Sequence, residues 1–205
     1  MMYFLLFLIF AATVAALWFH GTWNNCVTLI NMTLAMMIAT NYYEPICFQL
    51  EQFDASFTYL LDFVVIWVLF GITFLILRLI TDMLSTNRVK FITPVEMALR
   101  SLTALWGGWL LICFIGFTLH FAPLNSESPG GALASPPSSM SAFGAWHSFM
   151  KNRSAYALSR GHFDPMFPDS TGQNVQQFDS KGDFFDKYHD RRVRYQQAEM
   201  MRVNP

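Results

Sequence analysis

The chain has 205 residues, 54% of them hydrophobic and 13% charged, against about 25% charged in an ordinary soluble domain. The net charge of −1 hides an uneven spread, since residues 1–121 carry four basic and six acidic groups and the remainder nine and eight. Neither part is basic enough for nucleic acid, and no Lys, Arg, Asp or Glu precedes Glu44, so the expected environment of the front half is a lipid bilayer.

Met2 to Trp18 is an apolar run with Ala11, Ala12, Ala15 and Ala16 on neighbouring turns. Nothing basic precedes it and no Ala-x-Ala site occurs before Trp18, as a cleaved secretory signal would require. It reads as a retained first span, approximately residues 2–19, with Trp18, Phe19 and Trp23 as interfacial aromatics. His20 to Asn25 is a turn cluster. The second segment, 26–43, is interrupted by Thr28, Asn31, Thr33 and Thr40 but carries no charge. Asn31, Ala35 and Ala39 recur every four positions, which suits close approach of another helix with Asn31 hydrogen-bonding across the contact. Glu44 to Ser56, with Pro45, Glu51 and Asp54, reads as a hydrated acidic loop.

The third and fourth segments, 57–80 and 99–122, are each longer than the roughly 20 residues that cross a bilayer. They are joined by Asn87-Arg88-Val89-Lys90. Arg78, Arg88, Lys90 and Arg100 are the basic side chains before residue 151, so the connector is expected inside, and the acidic loop, the N-terminus and the tail outside. Asp62 is the acidic residue within a span, about one and a half turns from Phe57. Intramembrane carboxylates are costly and often functional; the alternative is that Asp62 marks the outer interface. Thr93-Pro94-Val95-Glu96 has the pattern of a capped helix start, with Glu96 placed to pair with Arg100. Ala104, Gly108 and Gly116 share a face, with Gly107 beside them, as small residues do where helices approach. That stripe is read as the main helix contact within the chain, with a homo-oligomer seam or a pore lining as alternatives.

Residues 123–139 are a Ser/Pro/Gly linker, and 140–205 form a soluble tail of helical and irregular pieces. In it Phe143, Trp146, His147 and Met150 lie at helical spacing, and Phe163 to Asp169 is too proline-rich for a helix. Phe184, Phe185, Tyr188 and the basic Arg191, Arg192 and Arg194 suggest a solvated helix whose arginines are surface charge. Cys26, Cys47 and Cys113 show neither CxxC nor His at ligand spacing, so no metal or disulfide framework is expected. The histidines are scattered and no catalytic motif is present, so neither an enzyme nor a cofactor is expected.

The fold class read from the sequence is therefore all-α: a polytopic membrane protein of about four transmembrane helices, residues 1–122, with a tail. The stretches Asp62-Phe63-Val64-Val65-Ile66-Trp67-Val68-Leu69-Phe70-Gly71, Leu77-Arg78-Leu79-Ile80 and Ser101-Leu102-Thr103-Ala104-Leu105-Trp106-Gly107-Gly108-Trp109 resemble the colicin V production protein family. So do Asn24-Asn25 and Ala39-Thr40-Asn41-Tyr42-Tyr43-Glu44-Pro45, which are similar to family members with an extra C-terminal tail. The resemblance implies a multi-pass protein of the bacterial inner membrane, non-enzymatic, linked to toxin production or export and envelope homeostasis. The partners expected are the lipid bilayer and other envelope proteins, with a second copy of the chain as a further candidate. Two other classes remain: a small oligomeric channel or transporter lined by Asp62, Asn31 and the Gly107 to Gly116 stripe, and a membrane anchor for a partner-recruiting tail.

Overall fold

A computed structural model describes residues 2–52, 58–84, 93–122, 124, 137–154, 178–179 and 182–203. Arg88 and Lys90, on which the expected orientation rests, and the Phe163 to Asp169 segment lie outside the described residues. Helices α1 (Met2–Trp18), α2 (Thr22–Glu51), α3 (Thr58–Leu84) and α4 (Thr93–Thr118) form an antiparallel bundle, and α5 (Ala145–Ser154) and α6 (Phe184–Val203) follow. No strand occurs among the described residues. Residues Leu60–Leu84 of α3 and the whole of α4 are each long and apolar enough to cross a membrane, while α1 is apolar but shorter.

The bundle wears its apolar residues outside. On α3, Leu60, Val64, Val68, Ile72, Leu75 and Leu79 repeat at intervals of three and four and are all exposed, so one whole face is bare hydrocarbon. The least apolar of these four helices, α2, is an inner one, packed against both α3 and α4, as α4 is against α1 and α2. Its Asn25, Asn31 and Thr40 are buried together with Ala35, Met36 and Ala39. A helix carrying those polar groups is unfavourable toward hydrocarbon but favourable where neighbours answer them.

Two expected boundaries move. Helix α2 starts at Thr22, inside the expected turn cluster, because Gly21 alone makes the reversal. Its φ of 81° lies in the left-handed region that glycine enters without penalty. At the other end α2 runs through the expected acidic loop to Glu51 despite Pro45. Proline removes one helical hydrogen bond, and here buried Tyr43 and Cys47, with Ile46 packed beside them, hold the helix on both sides of it.

Small residues on α4 decide how α1 and α2 approach. A methyl group built at Gly107 would come within 2.7 Å of Leu17 Cδ1 and 3.2 Å of Leu29 Cδ2. One at Gly108 would come within 2.9 Å of Phe10 and Val14. Ala104, one turn earlier on the same stripe, is fully buried. Gly116 lies elsewhere: its added methyl would meet the backbone carbonyl of Ala142 at 2.6 Å, so this glycine seats the tail on α4 and not another bundle helix.

The tail packs onto the bundle. Trp146, Met150, Phe178, Phe184 and Tyr188 belong to the same buried cluster as Met36, Tyr43, Ile66, Phe114 and Phe117. We call α5, α6 and their flanking turns the cap, and the bundle end they cover the cap end. Gly108→Ala and Gly116→Ala are each expected to lower stability by about 1–3 kcal/mol through overpacking. Gly71→Ala, with nothing within 4 Å of the new methyl, should be neutral or stabilise by up to about 1 kcal/mol. Thermal melts in detergent check this, and similar losses at all three would contradict the packing.

Candidate functional site

Asp62 sits in the first turns of α3 and is buried, 6% exposed. It does not simply mark a wetted surface. Its carboxylate accepts a hydrogen bond from the Tyr188 hydroxyl at 2.9 Å and from the Arg191 guanidinium, both from α6. Arg191 also reaches Glu51 at 3.6 Å and stacks over the Tyr188 ring at 5.9 Å. Cys47 of α2 lies within hydrogen-bonding reach of the same carboxylate. The Tyr188 phenol is pushed well above its ordinary 10.0, first by burial and then by the charge of Asp62, so it stays protonated and acts as donor. A buried carboxylate answered by a guanidinium and a phenol is an ionic lock between bundle and cap.

The α6 arginines, expected as surface charge, behave otherwise. Arg191 is half-buried on Asp62, and Arg192 is buried with its guanidinium donating to the His120 carbonyl at 2.9 Å. The reason is register. Phe184, Tyr188, Arg191 and Arg192 follow one another at helical spacing, so the aromatic face that enters the core carries both arginines in with it. Phe184 stacks on Phe117 at 5.2 Å, and Tyr188 meets Phe121 edge-on at 4.7 Å. The aromatic stripe of α6 was the signal for this docking in the sequence. Its partner surface, assembled from α3, α4 and the end of α2, was not contiguous there.

Helix α5 completes the cap. Its Trp146 inserts between α2 and α4, donating its indole N–H to buried Thr40 Oγ1 at 3.0 Å and packing edge-on to Phe114 at 5.8 Å. The turn leading into α6 is tied to α5. Asp179, at φ 50°, accepts from His147 at 2.9 Å and from the Phe184 backbone N–H at 3.1 Å, with Lys151 at 3.6 Å. Phe178 N–H donates to Ser154 Oγ at 2.9 Å. Burial alone would raise the Asp179 carboxyl, but the hydrogen bond and charge of His147, then Lys151 and the Phe184 N–H, hold it below its usual 3.8.

Asn31, Arg78 and Arg100 gather at the opposite end. Asn31 donates to Thr81 Oγ1 at 2.8 Å, which places it on α3. Arg78 bonds Asn24 at 2.7 Å, Thr28 at 2.9 Å and Asp82 at 3.0 Å. Arg100 pairs with Glu96 at 2.7 Å, while the Glu96 carbonyl accepts from Thr22. Thr81 lies 19 residues from Asp62 on α3, about 28 Å along the helix. Asn31 and Asp62 therefore occupy opposite ends of the bundle, with buried core between them. Among the described residues no group of His, Cys, Asp or Glu is placed to hold a metal ion.

Comparison with protein-family models, with curated proteins and with solved structures finds no match.

Asp62→Asn and Arg191→Gln are each expected to loosen the cap, and a double-mutant cycle should show coupling of about 1.5–3 kcal/mol, as for hydrogen bonds to charged groups. Hydrogen exchange of α6 measures it, and additive losses would show that the pair does not hold the cap. Asp179, lowered in the docked state, stabilises the cap fully above pH 3.8 and loses that contribution as pH falls through its lowered value. Asp179→Asn should accordingly loosen α6 at neutral pH, and its difference from the native chain should shrink below pH 3.8.

Proposed function

We propose that this chain is a four-span protein of the bacterial inner membrane, similar to the colicin V production proteins, that acts without catalysis as an assembly component of the envelope. The observation that carries this reading is the inverted distribution of side chains. Exposed leucines, valines and isoleucines line α3, exposed Trp106 and Trp109 line α4, and exposed Tyr3, Phe4 and Phe7 line α1, while Asn25, Asn31, Thr40 and Asp62 are inside. A soluble domain would pay heavily in exposed apolar surface for such an arrangement, whereas in lipid it keeps the polar side chains inside, where Thr81 answers Asn31 and Trp146 answers Thr40. The two helices that meet the length and apolarity of a span, α3 and α4, flank α2. In this reading lipid covers α1, and α2 crosses under the protection of its neighbours.

The orientation follows from charge. Arg78 and Arg100 lie at the end of the bundle where the connector with Arg88 and Lys90 joins α3 to α4, which puts that end in the cytoplasm. The cap then lies outside, where it meets envelope partners and toxin-export machinery of the kind the resemblance implies.

A small channel or transporter is the second reading, favoured by one observation, the charged pair of Asp62 and Arg191 where the bundle meets the cap. Flux through liposomes carrying the purified chain, compared with Asp62→Asn, tests it.

Reporter fusions active only outside the cytoplasm should be bright at Gln52 and Ser139 and dark at Asn87. A dark Ser139 fusion beside a bright Gln52 fusion would mean that α4 does not span. In a complementation assay, Asp62→Asn at normal membrane abundance should lose the physiological effect. Full complementation would remove Asp62 from the function.

A further inference from the structure

The lock at Asp62 has an asymmetry. The bundle supplies the anion and an acidic, aromatic rim of Glu51, Tyr43 and Cys47, while the cation comes from α6. Arg78 and Arg100 are committed at the opposite end. A carboxylate at that depth requires a cation, so without α6 the cap end presents an unanswered site whose chemistry is already defined by what fills it.

Helix α6 fills that site from the edge of the bundle, with Phe184 and Tyr188 in the shared buried cluster. The closely packed helix pairs are α2 with α3, α1 with α4, α2 with α4, and α4 with α5. Helix α6 instead holds on through the reach of its side chains: the Phe184 and Tyr188 rings, Arg191 on Asp62, and Arg192 on the His120 carbonyl. Its other face carries exposed Asp186, Lys187, Asp190 and Arg194, so it is built to be soluble when undocked. Among the described residues the bundle helices approach one another more closely than α6 approaches any of them.

We propose that the surface around Asp62, Glu51 and Tyr43 is a receptor for a protein helix that presents an aromatic ring and a guanidinium one turn apart, and that α6 occupies it in cis as a displaceable stand-in. The partner is a polypeptide helix bearing a phenol or phenyl ring at one position and an arginine three residues later, as Tyr188 and Arg191 are placed here. Guanidinium is favoured over ammonium because its planar fork answers Asp62 and Glu51 together, as Arg191 does. This rests on the reading of the chain as a membrane-spanning assembly component, and it names the chemistry by which a partner would be held outside the membrane. Undocking of α6 and docking of the partner exchange one ionic lock for another, so partner and tail compete for a single site.

The probe is a labelled synthetic peptide with this chain's own sequence from Phe178 to Val203, added to the full-length protein in lipid nanodiscs. The native chain, with α6 in place, should bind it at least about tenfold more weakly than the Tyr188→Phe, Arg191→Gln double variant, because the competent state of the native chain is rarely populated. Adding Asp62→Asn to the double variant should abolish the gain, and a peptide with its own arginine at 191 replaced by glutamine should not bind. If the double variant fails to reach the membrane, Arg191→Lys alone replaces it and should bind the native peptide more tightly than the native chain does. Equal binding to all forms, Asp62→Asn included, would mean adsorption to lipid and would overturn the proposal. So would no binding to a released variant whose bundle melts as the native one does. Reporter fusions made in the same variants separate the two failures: an unexpected topology sinks the membrane reading, whereas absent binding with the expected topology sinks the receptor alone.

Discussion

A carboxylate buried at one end of an apolar bundle must be answered, and the architecture at the cap end follows from how Asp62 is answered. Its counter-charge lies 129 residues further on, in α6. Bringing Arg191 there requires α6 to lie across the ends of α2, α3 and α4, which in turn puts Phe184 on Phe117 and Tyr188 on Phe121. Each such aromatic contact adds about 0.5–1.5 kcal/mol beyond its buried area. Removing Arg191 leaves the buried Asp62 carboxylate without its counter-charge, which is why breaking such a pair costs far more than its net contribution.

The same logic sets the position of α2. With Asn25, Asn31 and Thr40 on its buried face, it is the bundle helix that hydrocarbon tolerates least, and it lies between α3 and α4. Thr81 of α3 answers Asn31, and Trp146 of the cap answers Thr40. Helices α1, α3 and α4 carry exposed apolar side chains on their outer faces. Gly107 and Gly108 make this geometry possible, because α1 and α2 both come up to α4 at a place where a side chain on α4 would block them. Close approach there replaces the hydrophobic drive that is missing when the surroundings are themselves apolar.

The cap joins these two themes. Trp146 and the lock at Asp62 hold it at separate points, on Thr40 of α2 and on α3, and the turn around Asp179 ties those points together through His147 and Ser154. Loosening the α6 lock therefore leaves α5 anchored by its tryptophan and by its packing on α4, beside the Ala142 turn that Gly116 seats.

Periodicity and composition were enough to read the all-helical class and the apolar runs behind α1, α3 and α4. They also picked out the close-approach face of α2 at Asn31, Ala35 and Ala39 and the small-residue stripe of α4, because each is a local pattern written within a few turns of one helix. They misplaced the ends of α2, since Pro45 and the acids after it resemble a loop until the packing of Tyr43 and Cys47 on both flanks is known. The role of Gly116 and the fate of the α6 arginines were decided only in three dimensions. Whether a glycine faces a helix or a tail backbone, and whether an arginine faces water or a carboxylate 129 residues away, depends on which distant surfaces the fold brings together. Sequence spacing fixes the direction in which a side chain leaves its own helix and nothing about what stands opposite it.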